Sequence, residues 1–453
     1  MSRLESIVAN SPAFARDAII NAYGYWLRRQ RFSAKYYEFF ALVMYNLTKT
    51  PDEIQEEQLN LLKDNLIHAN TKIPYYREMF RTIGFYPKDL TSLSQLAALP
   101  ILTKDVIREN FDLLYDKSAP ERTYRLHTTS GSTGQKLKFL LPNELLYAKN
   151  AAFTYRFYAL AGVMPMDKRV TIGGRVFTHK PPFWTHNKSE NQLLMSAHHL
   201  SQRTIDGYIE QIGRYSPVFI QGHPSAIYYL ADYIQRLGLK EPKGLKAIFT
   251  TGETLSEENK LIIEEAFKAP VYQQYGSGES CFSAQETPDR AGYALNYEHG
   301  LMELDGIGDF RDVIVTSFQN PVMPFIRYRV GDLVRPVIQQ AKTTNPLPVL
   351  FDQVIGRIDD CIYSSNGDMI LPVTVRMRIK PMLKELTNYQ LVQTDRTEFE
   401  LRLQDSEHRL DSAAMEIELK RILGNDINIV VSRLESIMSA GGKVRNVVNA
   451  IGK

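Results

Sequence analysis

The chain is predicted to be an α/β protein with a small α+β unit at its C-terminal end. Three observations carry that prediction. From Leu126 to about Arg335, short apolar runs (Val170-Thr171-Ile172, Pro217 to Ile220, Ala247 to Thr250, Val313 to Thr316) alternate with helical stretches such as Ser256 to Phe267. Such alternation indicates a substantially parallel sheet covered by helices. Glycine-containing motifs follow two of the strand-like runs directly, Thr251-Gly252-Glu253 after Ala247 to Thr250 and Tyr275-Gly276-Ser277-Gly278-Glu279 after Val271-Tyr272. Ligands of open α/β sheets gather beyond the carboxyl ends of the strands, so both motifs stand where a site belongs. After Gly356-Arg357-Ile358-Asp359-Asp360 the character changes. Phe399, Leu401 and Leu403 alternate as in a half-buried strand, Ala413 to Leu423 has helical composition, and Ile427 to Val431 is again strand-like. The expected division is a large domain over 1–358 and a small one over 359–453.

The N-terminal elements follow from periodicity and proline. Apolar residues recur at helical spacing from Leu59 to Ile67, and Pro74, Pro87 and Pro100 break the segment, so a helical layer is expected over about 1–116. Tyr23 to Leu47 combines Tyr25, Trp26, Phe32, Tyr36, Tyr37, Phe39 and Phe40 with Arg28, Arg29, Arg31 and Lys35. That composition suits a helix docked on the protein's own core, the preferred reading. It also suits weak peripheral contact with a membrane surface.

Composition narrows the function classes. At 453 residues and 44% hydrophobic the chain can bury a large core. A net charge of +3 with no basic run interleaved with aromatics gives no reason to expect nucleic acid as a partner. Two cysteines, Cys281 and Cys361, make neither a disulfide framework nor a four-ligand zinc site, which fits a reducing compartment. The first residues carry no basic and apolar leader pattern and no stretch is apolar enough to span a bilayer, so the expected location is the cytoplasm.

Chemistry is concentrated in His127-Thr128-Thr129-Ser130-Gly131-Ser132-Thr133-Gly134-Gln135-Lys136-Leu137-Lys138. Its glycines allow the backbone to close around an anion, and its hydroxyls and lysines can donate to phosphate oxygens. It is not a Walker loop, which needs G-x-x-x-x-G-K-[ST]. Nor does any strand lead into a G-x-G-x-x-G fingerprint, so a fused reductase is not expected. His127, His198, His199 and His223 form no metal-ligand pattern with carboxylates or cysteines. Gly173 to Trp184 combines flexible backbone with aromatic surface, which suits either a pocket wall or a loop packed by its own aromatics.

Downstream of the loop come Thr251-Gly252-Glu253, Tyr275 to Glu279, Tyr328-Arg329-Val330-Gly331-Asp332, Gly356 to Asp360 and Gly441-Gly442-Lys443. In this order, and with Ile73 to Arg77, Leu99 to Lys104 and Gly222 to Ser225, the set resembles the adenylate-forming superfamily of acyl-CoA synthetases and ligases. Within it the likeness is to the phenylacetate-CoA ligase-like branch, which includes proteins associated with capsular polysaccharide biosynthesis. The resemblance implies an AMP-forming ligase with a large ATP- and acyl-binding domain and a mobile C-terminal lid. It implies ATP and Mg²⁺ as cofactors, a small carboxylic acid as substrate, and coenzyme A, another thiol, an amine or a sugar as acceptor.

The same resemblance assigns roles. Thr128, Thr129, Ser130, Gly131, Ser132, Thr133, Gly134 and Lys138 would hold the β- and γ-phosphates, with Gly252, Glu253 and Gly276 also in the nucleotide site. Tyr275 would stack on adenine, Glu279 would help hold Mg²⁺, and Asp332 would accept from the ribose hydroxyls. Arg357 would contact ribose or phosphate, Asp359 would be the hinge, and Lys443 would be the lysine beside the α-phosphate. The alternative is a non-catalytic nucleotide-binding or membrane-associated scaffold of the same fold. Retention of Glu279, Asp332, Arg357 and Lys443 together argues against it.

Overall fold

The computed structural model describes residues 8, 10–129, 137–201, 203–306, 309–337, 346–357, 360–370, 372–379, 382–383, 388–405, 410–434, 437 and 445–451. It divides into two compact units. Unit one comprises Met1–Gly24, Met166–Gln273 and Ile355–Lys453, and unit two comprises Tyr25–Pro165 and Gln274–Val354.

Unit one contains the predicted βαβ alternation. Strand Arg169–Gly173 pairs in parallel with Phe219–Gly222 on one side and with Gln192–Ser196 on the other. Phe219–Gly222 pairs in parallel with Ala247–Thr251, and Trp184–Asn187 closes the far edge antiparallel. Parallel neighbours need crossovers, supplied by helices Ile205–Tyr215, Pro224–Leu237 and Glu257–Phe267. Val170, Ile172, Leu193, Ile220 and Ile248 from the strands meet Ile227, Leu230 and Ile263 from the helices in one apolar core. The aromatics at the end of the Gly173 to Trp184 segment pack on residues further along the chain. Phe183 stacks on His199 at 4.2 Å, and Trp184 meets the edge of Tyr208 at 5.6 Å.

The C-terminal part of unit one has a core of its own. Tyr389–Gln393 pairs antiparallel with Glu398–Leu403, which runs parallel to Asn428–Arg433. The alternation of Phe399, Leu401 and Leu403 turns these side chains inward, onto Met415, Leu419 and Leu423 of helix Ser412–Leu423.

Unit two opens with helices whose limits are set locally. Pro51 and a capping box define the start of Pro51–Lys72, in which Thr50 Oγ1 accepts from the Glu53 amide and Glu53 accepts from the Thr50 amide. Pro74 starts the next helix, Pro74–Ile83. The aromatic segment from Tyr23 to Leu47 is two helices, Ala13–Arg31 and Ala34–Tyr45. In the second, Tyr36 is fully buried and stacks on Phe40 at 5.4 Å, against Ala148 and Ala152, which is the docked arrangement; Tyr37 and Tyr45 face solvent. Among the described residues no helix is long and apolar enough to cross a membrane. A hairpin, Tyr124–Thr128 with Lys138–Pro142, leads through Leu145–Lys149 into helix Asn150–Leu160. Strands Gly300–Asp305, Arg311–Ser317 and Tyr328–Pro336 form an antiparallel sheet whose core contains Val313, Val315 and Tyr328.

Candidate functional site

Four of the expected site residues come together in unit two. Tyr275 stands near the end of strand Val271–Gly276, and the chain then turns sharply. A Cβ on Gly276 would lie 3.2 Å from the carbonyl oxygen of Phe282, so a side chain there would crowd the turn. The turn is pinned by the Ser280 amide donating to the Ser277 carbonyl at 3.1 Å, and Ser280 has φ +54°. A left-handed serine costs on the order of 1 kcal/mol and persists only where its surroundings hold it.

Two tyrosine–carboxylate hydrogen bonds tie this turn to strand Tyr328–Pro336. Tyr275 donates to Asp332 Oδ2 at 2.9 Å, and Tyr328 donates to Glu279 Oε1 at 2.9 Å. Tyr328 is completely buried, and burial, then the Glu279 charge, drives its phenol far above the ordinary tyrosine range. It therefore stays protonated and keeps donating. Glu279 is 7% exposed, a carboxylate at the edge of the core with its second oxygen not engaged by Tyr328. The Tyr275 ring packs on Phe282 at 4.9 Å and meets the edge of Phe351 at 5.7 Å.

The hydroxyl-rich segment is a hairpin connection. Thr128 and Lys138 face each other in its last rung and are both exposed. Beyond them the Thr129 amide donates to the Leu137 carbonyl at 3.0 Å, and the Leu137 amide donates to Thr129 Oγ1 at 3.2 Å. Ser130, Gly131, Ser132, Thr133 and Gly134 lie outside the described residues.

The other assigned residues belong to unit one. Gly252 has φ +84°, a left-handed step that glycine takes without penalty, directly after strand Ala247–Thr251. The Glu253 carboxylate accepts from the Ser225 amide at 3.0 Å, in the first turn of helix Pro224–Leu237, where a negative charge meets the unpaired amides and the helix dipole. Its carbonyl accepts from Gln273 Nε2 at 2.9 Å. The Gly222 to Ser225 and Thr251 to Glu253 motifs are thus joined, a link that the sequence did not reveal. Arg357 is exposed at the end of strand Phe351–Arg357. Asp359 and Lys443 lie outside the described residues, but Arg445 forms an ion pair with Asp360.

Among the described residues no group of three or more His, Cys, Asp or Glu side chains could hold a metal ion. A lone carboxylate such as Glu279 nevertheless fits Mg²⁺, which keeps several waters and commonly takes one or two carboxylates with substrate phosphates.

Behind the turn lies a buried polar cluster. Arg156, fully buried, reaches both oxygens of Glu298 at 2.8 and 2.9 Å and also donates to Asn296. His299 is held down to a pKa of about 4, chiefly by burial and further by the cations Arg156 and Lys149, against the opposing hydrogen bond to Ser280. Between that value and the usual 6.5 only the unfolded chain takes the proton, so its contribution is complete above pH 6.5 and is lost as pH falls toward 4. The loss amounts to about 3 kcal/mol. Urea unfolding of the native protein should therefore weaken more between pH 6.5 and 4 than that of a His299→Gln variant. Equal losses would contradict the assignment. His299, Tyr328 and the Arg156–Glu298 pair had no assigned role in the sequence reading. Only Tyr328 gave a signal, as the first residue of the Tyr328 to Asp332 motif.

Comparison with known proteins gives the site its context. No protein-family model matches the chain. The protein CapK of Staphylococcus aureus is 28% identical, with 99% of this chain and 100% of CapK covered. The phenylacetate-coenzyme A ligase of Pseudomonas putida is 25% identical over 88% of this chain and 95% of the ligase. Among solved structures, 2-hydroxyisobutyryl-CoA ligase in the postadenylation state matches with a TM-score of 0.67 at 19% identity, covering 89% of this chain and 91% of that one. That likeness establishes the mixed α/β fold. Along nearly its full length the chain is thus similar to CapK and to a phenylacetate-coenzyme A ligase, and it shares the fold of 2-hydroxyisobutyryl-CoA ligase.

Proposed function

We propose that the chain activates a carboxylic acid with ATP and passes the acyl group to a thiol, with coenzyme A as the first candidate. A carboxylate oxygen attacks the α-phosphorus, the bond to the bridging oxygen of pyrophosphate breaks, and acyl-AMP and pyrophosphate result. The acceptor thiol then gives up its proton as sulfur attacks the acyl carbon, and AMP leaves. The first nucleophile is already an anion belonging to the substrate, so no catalytic base is required and the protein's part is positioning and charge stabilisation.

The observation that carries this reading is the pair of tyrosine–carboxylate bonds, Tyr275 to Asp332 and Tyr328 to Glu279, which joins two of the motifs into one arrangement. In this reading Asp332 accepts from the ribose, Tyr275 lies against adenine and Glu279 holds Mg²⁺, whose chemistry is to neutralise phosphate charge. The hairpin connection from Thr128 to Lys138 takes the β- and γ-phosphates, with Gly252, Glu253 and Gly276 bordering the nucleotide. Arg357 contacts ribose or phosphate, Asp359 is the hinge of a lid over 359–453, and Lys443 comes beside the α-phosphate. The name CapK, borne by a protein similar along its full length, suggests a part in making surface polysaccharide, and a sugar or amine is kept as a second acceptor class.

Pyrophosphate release from ATP and Mg²⁺ tests this across aryl, fatty, amino and sugar acids, each with and without coenzyme A. Release with one acid, increased by coenzyme A, is the expected result. Release indifferent to coenzyme A would move the acceptor to the sugar or amine class. Silence across the panel with clear ATP binding would point to an acid outside the panel or to the scaffold reading.

A further inference from the structure

The turn carrying Glu279 is held from behind by side chains that the proposed chemistry does not use. His299 lies face to face with Phe153, ring centroids 4.5 Å apart and planes 7° apart. Its Nε2 is 2.9 Å from the Ser280 carbonyl oxygen, and its Nδ1 is 2.9 Å from Ser283 Oγ. A ring nitrogen can meet a carbonyl oxygen only as a donor, so Nε2 carries the proton and the neutral ring's Nδ1 accepts from the Ser283 hydroxyl. Ser283 Oγ in turn accepts from Asn296 Nδ2 at 2.7 Å, and Asn296 Oδ1 accepts from Arg156.

Every proton in this series has one available direction. The guanidinium of Arg156 is acceptor-free, so it must donate to Asn296, which donates to Ser283, which donates to His299, which donates to the Ser280 carbonyl. The series starts at the buried pair with Glu298 and ends on the residue after Glu279. Helix Asn150–Leu160 supplies its support from nearby positions. Asn150 accepts from Ser280 Oγ at 3.0 Å, Phe153 stacks on His299, and Arg156 begins the series. All of these groups belong to unit two.

We infer that His299 is a positioning residue for Glu279: by fixing the Ser280 carbonyl it holds the left-handed turn that sets the Glu279 carboxylate against Tyr328. This rests on Glu279 being a Mg²⁺ ligand, as proposed above. Groups that orient a metal ligand commonly change metal affinity by about 10–100-fold when removed.

The test is ATP binding by calorimetry as Mg²⁺ is varied, a readout that needs neither the acid nor the acceptor. His299→Phe keeps a stacked ring but has no N–H, whereas His299→Gln offers an amide N–H to the Ser280 carbonyl. Glu279→Gln and His299→Phe are each expected to raise the Mg²⁺ concentration for half-maximal ATP binding about tenfold or more. His299→Gln is expected to remain within about threefold of the native protein. A merely structural role would lower the melting temperature of both His299 variants without moving the Mg²⁺ midpoint. Should His299→Phe not fold, Ser283→Ala interrupts the same series one step back and should raise the midpoint well beyond threefold, toward about tenfold. Native Mg²⁺ dependence in the folded His299 and Ser283 variants, with Glu279→Gln shifted, overturns the inference alone. Native dependence in Glu279→Gln overturns the metal assignment and the inference with it.

Discussion

Replacing Lys443 with alanine is expected to lower acid-dependent pyrophosphate release by about 10²–10³, the usual cost of removing one donor from developing negative charge. Attack of a carboxylate on the α-phosphate brings an anion onto an already anionic centre, and a cation placed there acts in the transition state more than in the ground state. ATP affinity should accordingly change by no more than about threefold, because uniform binding rests on contacts made elsewhere. Pyrophosphate release and calorimetric ATP binding, measured on the same preparation, separate the two effects. A variant that kept more than about a tenth of the native rate would take Lys443 out of this role. The Arg445–Asp360 ion pair joins the residue two positions after Lys443 to the residue after Asp359.

Arg156→Met is expected to have the largest effect on stability, about 3–5 kcal/mol. The ion pair with Glu298 is 0% and 5% exposed at its two side chains, and removal of the guanidinium strands a carboxylate where water does not reach. Asn46 still donates to Glu298 at 2.8 Å, which offsets only part of that cost. For a unit of this size the loss corresponds to a fall in melting temperature of roughly 10 °C. Replacing Glu298 with methionine as well should recover much of it, since a matched apolar pair leaves no buried charge alone. Thermal scans of both variants distinguish the outcomes. A single variant that melted with the native protein would show that the pair contributes little.

Much of the architecture was legible because it depends on local pattern. Val170 to Ile172, Ala247 to Thr250 and Phe399 to Leu403 all lie in strands, and the helix anticipated from Ser256 to Phe267 begins at Glu257 with Ser256 as its cap. Pro74, read from the sequence as a break, stands at the first turn of a new helix, a position whose amide needs no partner. What was not legible depends on distance along the chain. Arg156 and Glu298 are separated by 142 positions and Tyr328 and Glu279 by 49, and no period or spacing connects them. His299 could be read as an ordinary loop histidine until its two nitrogens were seen to meet Ser280 and Ser283.

The burial of both cysteines bears on the protein's own survival as a catalyst. An acyl-adenylate is a mixed anhydride and acylates thiolates within reach, so a cysteine near the reacting carbonyl would compete with the intended acceptor and end in self-modification. Cys281 lies two residues from Glu279, yet it is 1% exposed, and burial, then the Glu279 charge, raises its thiol well above the usual range. Cys361 is likewise 1% exposed, with its sulfur 3.7 Å from the Arg357 carbonyl oxygen. Buried in this way, the two thiols would leave the acyl-adenylate of the proposed reaction to its external acceptor.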